Sequence, residues 1–211
     1  MAKVKLTKMQ CDVLVGILLG DACLQTESNG KTFRLRISQS ENHKEYLFHL
    51  YDIFKNLTLS PPIRYEFTDK RNLNKKYFRW SFSTTQQACL RFYGQQFYKN
   101  NKKIVPKLIH RWLKPMSIAY WYMDDGAQKW KGKSLAVRFC TDNFLYKDVI
   151  LLHNVLVKTY NLKISLQKKN SNYRIYISSY SYKCLKHLIY IYLHPSMVYK
   201  FPMKTNQVTQ I

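Results

Sequence analysis

Two unbroken apolar stretches punctuate the chain, and each ends in an acid. Residues 14–21 read LVGILLGD and residues 118–125 read IAYWYMDD. The residues after each acid are arranged alike. After Asp21 come a short segment, a Ser28-Asn29-Gly30 turn and the run FRLRISQ at 33–39. After Asp125 come a short segment, a turn at Lys131-Gly132-Lys133 and the run LAVRFCT at 135–141. Apolar and polar positions alternating with period two predict half-exposed strands. Helices are predicted next at 41–57 and 146–160, then strands at 77–83 (YFRWSFS) and 173–178 (YRIYIS), then helices near 86–98 and 180–193. Lys103 and Lys200 come last, each shortly before a proline. One order occurs twice, which predicts a duplicated α+β unit with repeats at 1–105 and 106–211 and a division near 105–114.

The first apolar segment has a clear start. Thr7-x-x-Gln10 fits a capping box, with Thr7 as N-cap. The second starts at Lys114-Pro115, with proline suited to the first helical position. Ala22 leads into a strand, and Gly126 fits a helix C-cap. Gly16 and Gly20 lie four apart on one helix face and bare the backbone for close approach. Tyr120 and Asp124 hold the matching positions of the second helix, so the pattern predicts two helices pressed side by side.

Charge narrows the partners. With 35 Lys and Arg against 12 Asp and Glu in 211 residues, the formal charge is +23, while 46% hydrophobic residues suit a folded core. Such an excess repels itself and points to a polyanion, nucleic acid first and an anionic membrane surface second. No run reaches the ~18 apolar residues of a membrane span. Asp12 interrupts the N-terminal apolar stretch and Gly20-Asp21 closes it, against a signal peptide. Five scattered cysteines without CxxC, and six histidines without HExxH, support neither zinc nor a disulfide framework. Lys outnumbers Arg 26 to 9 and Tyr reaches 17, the residues of AT-rich codons, which suggests an organelle genome.

The acids carry the chemistry. A carboxylate at a helix C-terminus faces the negative end of the dipole, unfavourable by ~0.3–1 kcal/mol. Two such placements, in matching positions, call for a compensating cation. Mg²⁺ fits, because it takes one or two carboxylates together with phosphate oxygens.

Residues 14–22 (LVGILLGDA) and 118–126 (IAYWYMDDG) resemble the nine-residue LAGLIDADG motif, with Asp21 and Asp125 at its acidic eighth position. Two copies about a hundred residues apart resemble the single-chain, two-motif branch of LAGLIDADG homing endonucleases, and 59–62, 100–103 and 113–126 resemble its mitochondrial-intron members in particular. Ala22 replaces the final glycine of one motif and Tyr120 the small third residue of the other; both acids are intact. The resemblance implies an α+β fold of two pseudo-symmetric αββαββα repeats, with antiparallel saddle-shaped sheets around a central two-helix interface. It implies that Asp21 and Asp125 meet there and bind a divalent metal, with the carbonyls of Gly20 and Asp124 as further ligands. Mg²⁺ is the implied cofactor, Mn²⁺ a substitute, and Ca²⁺ an ion that binds without supporting cleavage. Lys103 and Lys200 are the implied active-site lysines. A monomer would act on a long asymmetric double-stranded DNA target, without a membrane, in a mitochondrion or chloroplast. It would cut each strand once across the minor groove and so mobilise its host intron.

The strands supply the expected DNA surface. Arg34, Arg36, Ser38, Arg64, Arg79, Ser81, Ser83, Arg138, Arg174, Tyr176 and Ser178 are expected on one polar face, with Gln39 as a further DNA contact. Arginines and hydroxyls on a twisted sheet can read base edges in a major groove. Three rival readings stand beside this one. Tyr122-Met123-Asp124-Asp125 matches the YxDD of reverse transcriptases, but a helix leads into it and the chain is short for a polymerase. An intron RNA maturase and a non-cleaving DNA-binding protein would use the same fold.

Overall fold

The computed structural model describes residues 4–69 and 72–203; the outer limits of the predicted repeats, residues 1 and 211, lie outside them. The chain divides into two compact units, Met1–Ile104 and Val105–Ile211.

The first unit runs α1 (Lys8–Leu19), β1 (Cys23–Gln25), β2 (Arg34–Ser40), α2 (Lys44–Phe54), β3 (Ile63–Asp69), β4 (Asn72–Ser83), α3 (Arg91–Phe97), β5 (Tyr98–Lys99) and β6 (Lys102–Lys103). At the start of α1 the Thr7 hydroxyl accepts from the Gln10 N–H at 3.1 Å, and the Gln10 side chain accepts from the Thr7 N–H at 3.0 Å. Gln10 Nε2 also donates to the Ile53 carbonyl and to Asn56 Oδ1, each at 2.8 Å, so the capping box ties α1 to the end of α2. The sheet order is β1-β2-β4-β3, antiparallel throughout. Helix α2 covers one face, with Phe48 edge-on to Trp80 at 5.3 Å and Tyr51 edge-on to Phe82 at 5.5 Å. Leu47, Leu50 and Phe54 complete that layer, all fully buried.

The second unit repeats the order: α4 (Pro115–Asp125), β7 (Gly126–Gln128), β8 (Val137–Phe139), α5 (Tyr146–Tyr160), β9 (Ile164–Lys169), β10 (Asn172–Ile177) and α6 (Tyr182–Ile189). Its sheet order, β7-β8-β10-β9, is that of the first unit. Helix α5 has the predicted bounds and ends on Asn161 in the left-handed conformation, φ 50°. The predicted turns reverse at Asn29-Gly30 and at Gly132, all with positive φ. The fold is therefore α+β with two repeats of one topology.

Local readings change in several places: the helices expected at 41–57, 86–98 and 180–193 contract to α2, α3 and α6, flanked by 3-10 turns. The strand expected at 135–141 contracts to β8, because the Cys140 N–H turns away to donate to the Asp125 carbonyl at 2.9 Å. Strands β3 and β9 carry no usable signal: the apolar positions of β3 face away from the core, and β9 is mostly exposed. Gly126 caps α4 by donating to the Tyr122 carbonyl, but in extended conformation, φ −76°. Space requires the glycine: a Cβ there would lie 2.2 Å from the Tyr122 ring and 2.3 Å from its carbonyl oxygen.

This packing makes two outcomes testable. A Cβ on Gly94 of α3 would lie 2.4 Å from the ring of Phe33, which is buried. Gly94→Ala is expected to destabilise the protein by ~1–3 kcal/mol through overpacking, and an unchanged denaturant midpoint would refute this contact. Asp148 lies buried in the first turn of α5; it accepts from the Val105 N–H, while its Oδ2 has no hydrogen-bond partner. Burial pushes its pKa up. The folded state thus holds this proton more tightly than the unfolded chain, and the associated stability is lost as pH rises from the ordinary carboxylate range through the raised value. Asp148→Asn should unfold at a higher midpoint than the parent at pH 7, the gap closing towards pH 4. A gap that widens on acidification would reverse the assignment.

Candidate active site and nucleic-acid interface

Helices α1 and α4 are buried over residues 13–19 and 117–123 and return to the surface at their acidic ends. Gly20 caps α1 through N–H bonds to the Gly16 and Ile17 carbonyls, and Ala22 closes on Ile17 at 3.0 Å. This leaves Asp21 exposed, and Asp125 is half-buried at the end of α4.

A lysine reaches each of these ends. Lys103 Nζ donates to the carbonyls of Gly20 at 2.9 Å and Ala22 at 2.7 Å, bracketing Asp21. Lys200 Nζ donates to the carbonyls of Met123 and Asp124, the latter at 2.9 Å, immediately before Asp125. Local sequence makes both placements. Asn100 and Asn101, at φ 50° and 60°, form the two-residue turn between β5 and β6 that presents Lys103. Lys200 ends a 3-10 turn, Pro195–Lys200, whose last carbonyl accepts from the buried Tyr122 hydroxyl at 2.7 Å.

Gln39 departs from its expected place as a DNA contact. It is buried beside Leu35 and Ile37, and its Nε2 donates to Asp21 Oδ2 at 3.0 Å. His43 Nδ1 lies 3.3 Å from Gln39 Oε1. Parity explains the shift: residues 35, 37 and 39 share the inner face of β2. The alternation in FRLRISQ contains that signal, with Gln39 in an apolar position. Arg64 also changes face. It pairs with Trp80, on the α2 side; its Nε donates to Glu41 Oε2 at 2.9 Å and its guanidinium lies 3.8 Å from the Phe78 ring centroid.

The open face of the first sheet holds Arg34, Arg36, Ser38, Arg79 and Ser81, as expected. Arg34 is held by Gln25 and Glu27, and the Ser38 hydroxyl lies 2.8 Å from the Tyr65 hydroxyl. In the second unit Arg138 and Tyr176 pair across the open face, with Lys129 Nζ 4.0 Å from the Tyr176 ring centroid. Arg174 shares that face but is gripped in bidentate fashion by Asp142, so its expected DNA contact would require it to share or exchange that partner. The same pair holds the Asp142 carboxyl below the usual carboxylate range.

The expected metal donors are carboxylate and carbonyl oxygens, the hard ligands Mg²⁺ takes. The Gly20 and Asp124 carbonyls are turned towards lysine ammoniums, although a carbonyl keeps a second lone pair. Among the described residues no three His, Cys, Asp or Glu side chains converge, and no helix is long and apolar enough to cross a membrane. A cation here would complete its shell from substrate and water.

The model of the LAGLIDADG DNA endonuclease family matches residues 11–185. DNA endonuclease I-ChuI of Chlamydomonas applanata is 36% identical over 208 residues, covering 92% of this chain and 95% of that protein. Cytochrome b mRNA maturase bI2 of Debaryomyces hansenii is 32% identical over 203 residues, covering 92% of this chain and 74% of that protein. The solved structure of the homing endonuclease I-WcaI, bound to its DNA recognition sequence, matches with a TM-score of 0.89 at 28% identity, covering 96% of this chain and 89% of that one. A family match across most of the chain, and a relative of equal span, agree with the doubled helix-end acids: this chain belongs to the LAGLIDADG DNA endonuclease family.

Proposed function

We propose that this protein is a site-specific homing endonuclease that hydrolyses one phosphodiester on each strand of a long, asymmetric DNA duplex. The break is staggered across the minor groove and mobilises the host intron. The observation that carries the reading is the repeated carboxylate–lysine arrangement at the ends of α1 and α4. The family and the DNA-bound relative support it.

Mg²⁺ is the cofactor of this proposal, with Mn²⁺ able to replace it and Ca²⁺ able to bind without cleavage. When bound, a divalent ion supplies Lewis acidity towards a phosphate oxygen and a water of lowered pKa. Asp21 with the Gly20 carbonyl, and Asp125 with the Asp124 carbonyl, would be the oxygen donors to divalent ions. Gln39 fixes the Asp21 carboxylate through its 3.0 Å hydrogen bond. Lys103 and Lys200 offset the negative helix ends and put positive charge where a phosphate would gain negative charge during hydrolysis.

A second reading adds intron RNA as a partner, favoured by the likeness to the Debaryomyces hansenii protein named as a cytochrome b mRNA maturase. That name and the AT-rich codon bias together support a gene carried in an organelle.

Asp21→Asn and Asp125→Asn should each abolish double-strand cleavage, by ~100-fold or more in rate, while leaving DNA affinity nearly intact. The test uses a duplex selected by the protein from a random library in Mg²⁺, with cleavage and mobility shift read in parallel. Near parental cleavage by either variant would sink the assignment of that acid. The chain carries both motifs and a charge of +23, so it should act alone. Sedimentation of the free protein and its DNA complex should show one 25.3 kDa chain, and an obligatory dimer would contradict this.

A further inference from the structure

The alternation of β3 is inverted for its place in the sheet. Ile63, Tyr65 and Phe67 pair with Ser81, Arg79 and Tyr77, the face opposite α2, while Arg64, Glu66 and Thr68 point to the α2 side. Ile63 is 64% exposed on that open face. Phe67 stacks on Tyr77, centroids 5.5 Å apart, and the Arg79 guanidinium lies 4.4 Å from its ring centroid. The second unit's positions matching Ile63 and Tyr65 are polar, Gln167 opposite Arg174 and Lys169 opposite Asn172, and its hairpin turns before any position matching Phe67. Apolar side chains on an open strand face lose hydrophobic stabilisation unless something covers them. The fold does not require an apolar residue at position 63, since the second unit closes the same sheet with Gln167 there.

The chemistry of the face identifies the occupant. It carries Arg34, Arg36 and Arg79, so a polyanion is expected, and it continues the DNA surface proposed above. Phe and Ile have no donor or acceptor and cannot read the polar edge of a base. One apolar group is displayed in the major groove, the C5-methyl of thymine. A strand rises ~3.4 Å per residue, close to the ~3.4 Å spacing of bases along one DNA strand. Ile63 and Phe67, four residues apart, therefore span ~14 Å, about four base-pair steps.

We propose that β3 reads thymine methyl groups, Ile63 and Phe67 each meeting one, about four steps apart, in the half of the target bound by the first unit. This rests on the endonuclease reading and assigns it a source of sequence preference. The test uses the full chain and the duplex it selects from a random library. Each thymine is replaced singly by deoxyuridine, which keeps every hydrogen-bonding group and removes only the methyl. Deoxyuridine at two positions should weaken binding ~4-fold each, the value of one buried methyl-sized group, and other thymines should be indifferent. Phe67→Ala should abolish the sensitivity at one position and Ile63→Ala at the other; Ile63→Ala should keep the parent's unfolding midpoint because Ile63 is exposed, and Phe67→Leu, which keeps an apolar group there, should retain the sensitivity that Phe67→Ala loses. Equal binding by every deoxyuridine duplex, or sensitivity that survives both variants, overturns the proposal while leaving the endonuclease reading in place. Failure to cut any duplex removes the reading itself.

Discussion

Each motif helix carries a carboxylate at the electrically unfavourable end, and a distant ammonium makes the placement tenable. Neither α1 nor α4 has a basic residue in its last turn. The unbonded carbonyls there, and the acid beside them, would leave concentrated negative charge at the mouth of a buried helix. Lys103 and Lys200 meet that charge by donating directly to the terminal carbonyls. The cation that lets each helix end there is also the cation beside its acid.

The two units hold their lysines by different means. In the first, a hairpin turned by two left-handed asparagines carries Lys103, and Tyr98 at its base accepts from the Leu24 N–H at 2.9 Å. In the second, a 3-10 turn carries Lys200, and the Tyr122 hydroxyl and Gln128 side chain donate to its last carbonyls. The acids differ as well. Gln39 holds Asp21, whereas the matching Thr141 donates instead to the Tyr173 carbonyl, within its own sheet. The repeats therefore share topology but not local chemistry.

The sheets divide their labour by parity. Inner positions pack on helices, and outer positions present arginine, hydroxyl and aromatic groups. With only 12 acids against 35 lysines and arginines, few strand arginines can be neutralised internally. Arg34, Arg64 and Arg174 each take an acid partner nearby. The remaining positive charge is spread on surfaces that an anionic duplex could cover.

The repeat, the helix starts, α5 to its last residue, and the placement of an acid at the end of each motif helix are all legible in the sequence, because these depend on local periodicity, capping and short-range pattern. The matching lysines are legible too, as repeated positions although not as hydrogen bonds. Pairing is not. Whether Arg64 lies on the outer or the inner face depends on its register with Trp80, which no local pattern encodes when the alternation of its own strand is inverted. Gln39 is misleading in the sequence because a polar residue in an apolar position gains its meaning from Asp21, eighteen residues away along the chain but 3.0 Å away in space. The pairing of Arg174 with Asp142 is likewise absent from the local pattern, because the two residues lie on separate strands and turns and meet only in the folded chain. Local propensity acts between neighbours in sequence, whereas carboxylates, amides and ammoniums choose partners by distance in the folded chain. The candidate residues are therefore named by the sequence, and their partners are chosen by the tertiary structure.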